Sequence, residues 1–140
     1  MQQAVSIVAI KGRITYLGRR LNPADNFGKR GCPGGKVEPG ETQLEGALRE
    51  LRQETGLHAL EMLSLGTLHL SNPDFGTFEC LGFAVRVPPG TELANLEPAK
   101  NKGWSPIPIG SVLKMPDHSL LPGTKQFVRA AASRLGIIKT

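Results

Sequence analysis

Residues 35–57, GKVEPGETQLEGALRELRQETGL, hold the clearest helix signal in the chain and its most unusual acidic face. Thr42 followed three positions later by Glu45 is a capping box, in which the two side chains and the two backbone N–H groups satisfy one another at a helix start. Gly56 stands where a left-handed residue would stop the helix. Leu44, Leu48 and Leu51 recur at i, i+4 and i+7, so the spacing predicts a helix over 42–55 with these leucines and Ala47 as its buried stripe. Glu45, Arg49 and Arg52 form a charged sector expected to face solvent or the preceding loop. Gln43, Gly46, Glu50, Gln53 and Glu54 form the third face. That face carries two local penalties: like charges at 50 and 54 cost a few tenths of a kcal/mol, and a mid-helix glycine costs about 0.8–1 kcal/mol relative to alanine. A hard divalent cation would account for both, since Mg²⁺ takes oxygen ligands and commonly sits between one or two carboxylates and a substrate's phosphates, with Gly46 leaving room for the ligand. A solvated acidic face is the reading that the helix alone leaves beside it.

Around this stretch the pattern alternates between strand and loop. Residues 4–10 (AVSIVAI) and 13–17 (RITYL), separated by Lys11-Gly12, predict a β-hairpin. From 18 to 40 the chain has six glycines and three prolines, which predicts a long loop with a short extended piece at 32–37. Loops of that length in compact domains usually serve function. Residues 57–70 and 77–87 read as strands joined by a turn at 71–76. Pro106 and Pro108 predict an irregular stretch, 111–114 a short helix, and 124–135 a terminal helix with Phe127, Val128, Ala131 and Leu135 on one side.

A chain of 140 residues, 39% hydrophobic and 21% charged, is expected to form a single domain over residues 1–140 with an ordinary core. It has no apolar run of about 18 residues and no basic leader with a cleavage site, so a soluble cytoplasmic protein without membrane contact is expected. Cys32 and Cys80, 48 positions apart, form neither a zinc pattern nor a disulfide framework. The net charge of +5 favours anionic partners. With basic residues dispersed and aromatics at 5%, a phosphorylated small molecule is a better match than nucleic acid, and an RNA-binding reading rests on net charge alone.

Gly35, Glu41, Arg49-Glu50-Leu51, Glu54 and Gly56-Leu57 share one further property: their order and spacing closely resemble the signature box of the Nudix hydrolases, and the flanking Pro33-Gly34 is similar too. The resemblance, which extends to the MutT-like nucleotide pyrophosphatases of that family, implies an α/β fold: an α/β/α sandwich with a mixed β-sheet, the box helix on one side and the terminal helix on the other. It also implies a hydrolase that uses Mg²⁺ or Mn²⁺ to direct water onto a diphosphate linked to another moiety. In that scheme Arg49 and Glu41 pair to orient the loop, Glu50 and Glu54 hold metal or activate water, and the carbonyl of Gly35 is a further ligand. Gln53 replaces a family glutamate and offers one neutral oxygen in place of a charge.

Residues 97–104 are similar to a Glu-Pro-Glu-Lys…Trp stretch of nucleotide-hydrolysing members, with Ala99 in place of the second acid and Glu97 or Glu79 as the substitute. Arg19, Arg20, Lys29, Arg30 and Lys36 are phosphate-contact candidates, Arg20 foremost because it sits where related triphosphatases carry a phosphate-binding arginine. Trp104 and Phe75 are candidates for stacking on a base, although a lone tryptophan is more often core. The function implied is cleavage of a pyrophosphate bond in a nucleoside diphosphate derivative, a nucleoside triphosphate first, by a monomer or homodimer. ADP-ribose or another nucleotide sugar is the alternative, cued by Pro73 sixteen residues past the box. Gln53 and Ala99 carry another alternative, a catalytically weak module that binds a nucleotide.

Overall fold

The apolar run near the start of the chain lies at the centre of the sheet, buried on both faces. In the computed structural model, which describes residues 2–21, 26–72 and 76–138, strand β1 (Gln2–Lys11) sends Val5, Ile7 and Ala9 to one side and Val8 and Ile10 to the other. Such two-sided burial is why the segment reads as continuous hydrophobic sequence. β1 turns at Gly12, in the left-handed region with φ +63°, into β2 (Ile14–Arg20), so the expected hairpin is present. The two strands pair only at Ile10–Thr15 and Lys11–Ile14.

The early edge of β1 is taken instead by β4 (Gly34–Lys36), through Ala4–Lys36, Val5–Gly35 and Ser6–Gly34. β3 (Arg30–Gly31) pairs with the end of β2. The predicted long loop is therefore interrupted by two short strands, the second of them within the extended piece expected at 32–37. Helix α1 (Gln43–Thr55) follows, then β5 (Leu63–Asn72), β6 (Gly76–Arg86), β7 (Asn101–Pro108), α2 (Ile109–Lys114), a 3₁₀ turn at Asp117–Ser119 and α3 (Thr124–Arg134). β6 runs parallel to β1 and the other pairings are antiparallel, which makes the sheet mixed. α1 packs Ala47 and Leu51 against Val5, Ile7, Ala9 and Phe83. α2 and α3 pack Val112, Phe127, Val128 and Ala131 against Val8, Ile10, Cys80 and Ala84. The expected α/β/α sandwich is thus the observed one.

Four local expectations are corrected. The strand expected from residue 57 begins at Leu63, because Gly56 ends α1 in the left-handed region, Leu57 drops into the core, and pairing with β6 starts only at Leu63–Ala84. Residues 101–108, expected to be irregular, form β7 along β2. Ile109 N donates to Arg13 O, so odd-numbered N–H groups on this side face β2; the missing N–H groups of Pro106 and Pro108 fall on the outer edge, where a strand tolerates proline. Leu44, in the first turn of α1, is 39% exposed and Leu48 is only half-buried, so the buried stripe narrows to Ala47 and Leu51. The short helix begins two residues earlier than expected. Pro73, Phe75 and the centre of the 71–76 turn lie outside the described residues. No helix among the described residues is long and apolar enough to cross a membrane.

Candidate active site

The pairing of β4 with β1 builds the floor of the site. Ile7 N donates to Pro33 O at 2.8 Å and Val37 N to Gln3 O at 2.9 Å, so the glycine segment between them is held to the sheet at both ends. Gly34 packs on the Val5 carbonyl, where any Cβ would collide. At Gly35 a Cβ would come 2.6 Å from Glu50 Oε1, so only glycine lets that carboxylate lie against the strand.

The chain then reverses at Gly40 (φ +85°) and enters α1 through the predicted capping box: Glu45 N donates to Thr42 Oγ1 at 3.1 Å and Thr42 N to Glu45 Oε1 at 2.8 Å. Glu41 accepts from Glu38 N at 2.8 Å and takes two bonds from Arg49, Nε to Oε2 at 3.1 Å and Nη2 to Oε1 at 2.6 Å. Arg49 also donates to Lys36 O at 3.0 Å, Glu50 Oε1 at 2.8 Å and Gln53 Oε1 at 3.3 Å. The guanidinium holds Glu41 below the usual carboxylate range, and Glu41 in turn pushes Arg49 further up. Gly46 gives its space to this arrangement: a Cβ there would lie 3.0 Å from Glu41 Oε1, so the room expected for a ligand is occupied by the Glu41 loop.

One turn on, Glu54 Oε2 accepts from Gly34 N at 2.9 Å. Burial pushes its carboxyl up to about 8 despite that bond, with the charges of Glu50 and Glu97 adding to the shift. Glu50 is raised by burial as well, opposed by Arg49. The end of α1 is clamped by three donors, since Leu96 N and Trp104 Nε1 each reach Glu54 O at 3.2 Å and Ala94 N reaches Thr55 O at 2.9 Å. Trp104 therefore packs against the α1-side core and secures the helix, with its ring also at the wall of a small cavity.

Glu50 and Glu54 line a cleft of about 460 Å³ together with Gly35, Lys36, Arg20 and Lys100. The apolar part of its lining includes Ala4, Leu70, Phe78, Cys80 and Leu121. Beside it, a cavity of about 20 Å³ is shared by Glu54, Glu97, Asn95, Arg20 and Trp104. The structure thus brings together Gly35, Glu50, Glu54, Arg20, Lys36, Glu97 and Trp104, with Glu41 and Arg49 directly behind them. Gln53 is exposed and engaged by Arg49, and it lines neither space. Glu79 lies 3.8 Å from His69 across β5 and β6, also outside both. Arg19, Lys29 and Arg30 are likewise absent from both linings.

Lys100, Asn95 and Asn101 escaped the sequence reading. The only signal was their place in the 97–104 stretch or just before it, because asparagines in a polar loop show no periodicity. Glu50 and Glu54 bring carboxylate oxygens from α1 to the cleft, the chemistry of a hard cation, and the close fit of Glu50 over Gly35 leaves that carboxylate at the wall. Among the described residues no three Asp, Glu, His or Cys side chains converge as a ready-made cage.

A family model of the NUDIX domain matches residues 1–129. The chain belongs to the NUDIX family. Over 74 residues this NUDIX chain is 32% identical to the 8-oxo-dGTP diphosphatase of Escherichia coli K12, covering 53% of the present chain and 57% of that protein. Over 58 residues it is 38% identical to the RNA pyrophosphohydrolase of Erythrobacter litoralis HTCC2594, covering 41% and 35%. The matches thus span about half and about a third of these curated relatives. Among solved structures, the MutT NUDIX hydrolase of Burkholderia pseudomallei superposes with a TM-score of 0.79 at 17% identity, covering 92% of this chain and 96% of that one. The NUDIX domain of Shewanella oneidensis NrtR, complexed with ADP ribose, gives 0.78 at 21% identity, covering 95% and 87%. At these identities the likeness is one of fold, and it agrees with the mixed sheet between two helical layers.

Proposed function

We propose that this NUDIX protein is a divalent-cation-dependent hydrolase that cleaves a pyrophosphate bond in a nucleoside diphosphate derivative, with a nucleoside triphosphate as its preferred substrate. The observation that carries the reading is the pair of half-buried carboxylates, Glu50 over Gly35 and Glu54 on Gly34 N–H, on the wall of a cleft that also presents Arg20, Lys36 and Lys100. The 8-oxo-dGTP diphosphatase named among its relatives supports the choice of a triphosphate.

Glu50 and Glu54 would hold Mg²⁺ or Mn²⁺, with Gln53 a further oxygen only once it leaves Arg49; the carbonyl of Gly35, expected from the sequence as another ligand, faces Val5 of β1 in the strand register, whereas the backbone groups of Gly34 and Lys36 face α1. Bound there, the cation would offset charge on the phosphates and lower the pKa of a water that it holds. Glu54 commits one oxygen to Gly34 N–H, which leaves the other for the cation or for a proton of the attacking water, one role at a time. Arg20 and Lys36 supply positive charge for the phosphates, and Trp104 borders the site as an apolar surface. Glu97, steadied by Lys100 at 3.3 Å, adds a third carboxylate beside Glu54. Arg49 and Glu41 touch no substrate in this scheme and hold β4, the loop and α1 in register.

The test is a screen of purified protein with Mg²⁺ or Mn²⁺ against nucleoside triphosphates, ADP-ribose, NADH and dinucleoside polyphosphates, reading phosphate or pyrophosphate release. A nucleoside triphosphate should give the highest kcat/KM, and preference for ADP-ribose would replace it as substrate. Glu54→Gln should lose at least about a hundredfold in kcat while its thermal midpoint in EDTA stays level or rises, because folding no longer has to bring a proton onto a desolvated carboxyl and an acceptor for Gly34 N–H is kept. Undiminished turnover in Glu54→Gln would overturn the assignment.

A further inference from the structure

Asn95 Oδ1 is the one buried side-chain oxygen or nitrogen among the described residues that lacks a hydrogen-bond partner. Its orientation is determined by its own amide: Nδ2 donates to Asn101 O at 2.9 Å, and turning the group over would set two acceptors against each other. The backbone is held as firmly. Ala94 N and Leu96 N, on either side, donate to the last carbonyls of α1, Thr55 O and Glu54 O. Asn95 is thereby strapped to the same turn of helix that carries the Glu54 carboxylate.

A buried acceptor without a partner is costly, and native proteins commonly resolve it with water. The cavity that Asn95 lines with Glu54, Glu97 and Arg20 measures about 20 Å³. A single buried water needs roughly 10–15 Å³ of this kind and two to four polar partners, so this space admits one water and not a substrate group. Its lining sets Glu54, Glu97 and Asn95, which carry acceptors, beside Arg20 and Lys100, which carry positive charge. Such a setting suits a water that directs both hydrogens outward while its oxygen is held by a positive centre.

We propose that Asn95 is a positioning residue for the divalent-cation site: its Oδ1 accepts one hydrogen of a water in this cavity, and the second hydrogen of that water goes to the Glu97 carboxylate, holding it beside Glu54 in the arrangement that takes up the cation. The inference rests on the cation site proposed above and adds a member that neither the signature box nor the family match points to.

The experiment titrates the 140-residue protein with Mn²⁺ alone, following bound and unbound metal by electron paramagnetic resonance, for wild type, Asn95→Ala and Asn95→Asp, with melting in EDTA alongside. Asn95→Ala should weaken Mn²⁺ binding about tenfold, the lower end of what loss of an outer-shell partner costs. Asn95→Asp keeps an oxygen in place of Oδ1 but sets its second oxygen against Asn101 O, so it should melt earlier than wild type in EDTA while binding Mn²⁺ at wild-type strength or tighter. An Asn95→Ala protein that melts earlier but binds Mn²⁺ as wild type does would make the water purely structural and overturn the proposal. So would weakened binding in Asn95→Asp, which decides the matter if the alanine variant fails to fold. A wild type that binds no Mn²⁺ would instead defeat the cation site itself, and this inference with it.

Discussion

Arg49 gathers Glu41, Lys36 O, Glu50 and Gln53 around one guanidinium, and only 15% of its side chain is exposed. A planar fork of five donors suits this, and lysine could not replace it. Because Arg49 spans three segments of chain, its loss should be felt in both stability and activity. Arg49→Ala is expected to lower the melting temperature by several degrees and kcat/KM by about tenfold or more, in line with loss of an outer-shell partner. Glu41→Ala should do much the same, and the double variant should fall well short of the sum of the two, because either change alone destroys the shared bonds. Additive losses in melting and kinetics would show that the pair does not act as a unit. The box spacing implied this pairing through its resemblance; the second role of Arg49, holding Glu50 and Gln53, becomes visible only when the side chains are placed.

At the scale of the element, α1 shows where local sequence rules suffice and where they stop. Its start and end follow from Thr42, Glu45 and Gly56, since caps are made by neighbours in the chain. Its mid-helix glycine does not follow from any helical rule. Gly46→Ala would gain about 0.8–1 kcal/mol of helix propensity, yet its Cβ would press on Glu41 Oε1 at 3.0 Å and Val37 Cγ2 at 3.4 Å. Glu41 is tied to Arg49 by two bonds and has little freedom to move aside. The expected outcome is a melting temperature within about 2 °C of wild type, the two effects offsetting, with kcat/KM clearly reduced. Melting and steady-state kinetics on the same preparation check this, and a more stable variant with full activity would show that the Glu41 loop yields.

For the whole molecule, burial of the acidic face sets the pH dependence of the cation-depleted protein. Glu54 releases its proton at about 8 in the folded chain, against 4.5 for an ordinary glutamate, so between those values the folded state holds a proton that the unfolded state has lost. Stability must then fall as pH rises from about 5 to 8 and level off beyond. Glu50, raised in the same direction, adds to the decline. Glu41 and Asp117 are shifted downward, so their contribution is lost only on the acid side of the ordinary carboxylate range and does not mask the trend. In EDTA the melting temperature should therefore be several degrees lower at pH 8 than at pH 5.5, Glu54→Gln should flatten the slope, and Mg²⁺ should raise the midpoint more at pH 8 than at pH 5.5. A wild-type profile in EDTA that is flat across this interval would mean that Glu54 is not buried as described.

The sequence by itself determined whatever depends on neighbours in the chain: the hairpin around Gly12, the capped helix 43–55, the terminal helix, and the spacing that sets Glu50 and Glu54 on one helix face. Through its resemblance to a family it also indicated the sandwich and the roles of Arg49 and Glu41. Only the tertiary structure decided which partners those residues meet across distance. β7 is a strand because β2 offers it an edge on which prolines are tolerated, and the buried stripe of α1 keeps Ala47 and Leu51 but not Leu44. Glu97 rather than Glu79 stands beside Glu54 because the 88–100 loop is hydrogen-bonded to the end of α1. Gly46 and Asn95 acquire meaning in the same way, one from a carboxylate that packs on it and the other from an oxygen sealed in without a partner. The physical reason is common to all of these. Backbone propensity and capping act within a few residues, whereas burial, and with it the displaced proton of Glu54, exists only once distant segments have closed over the site.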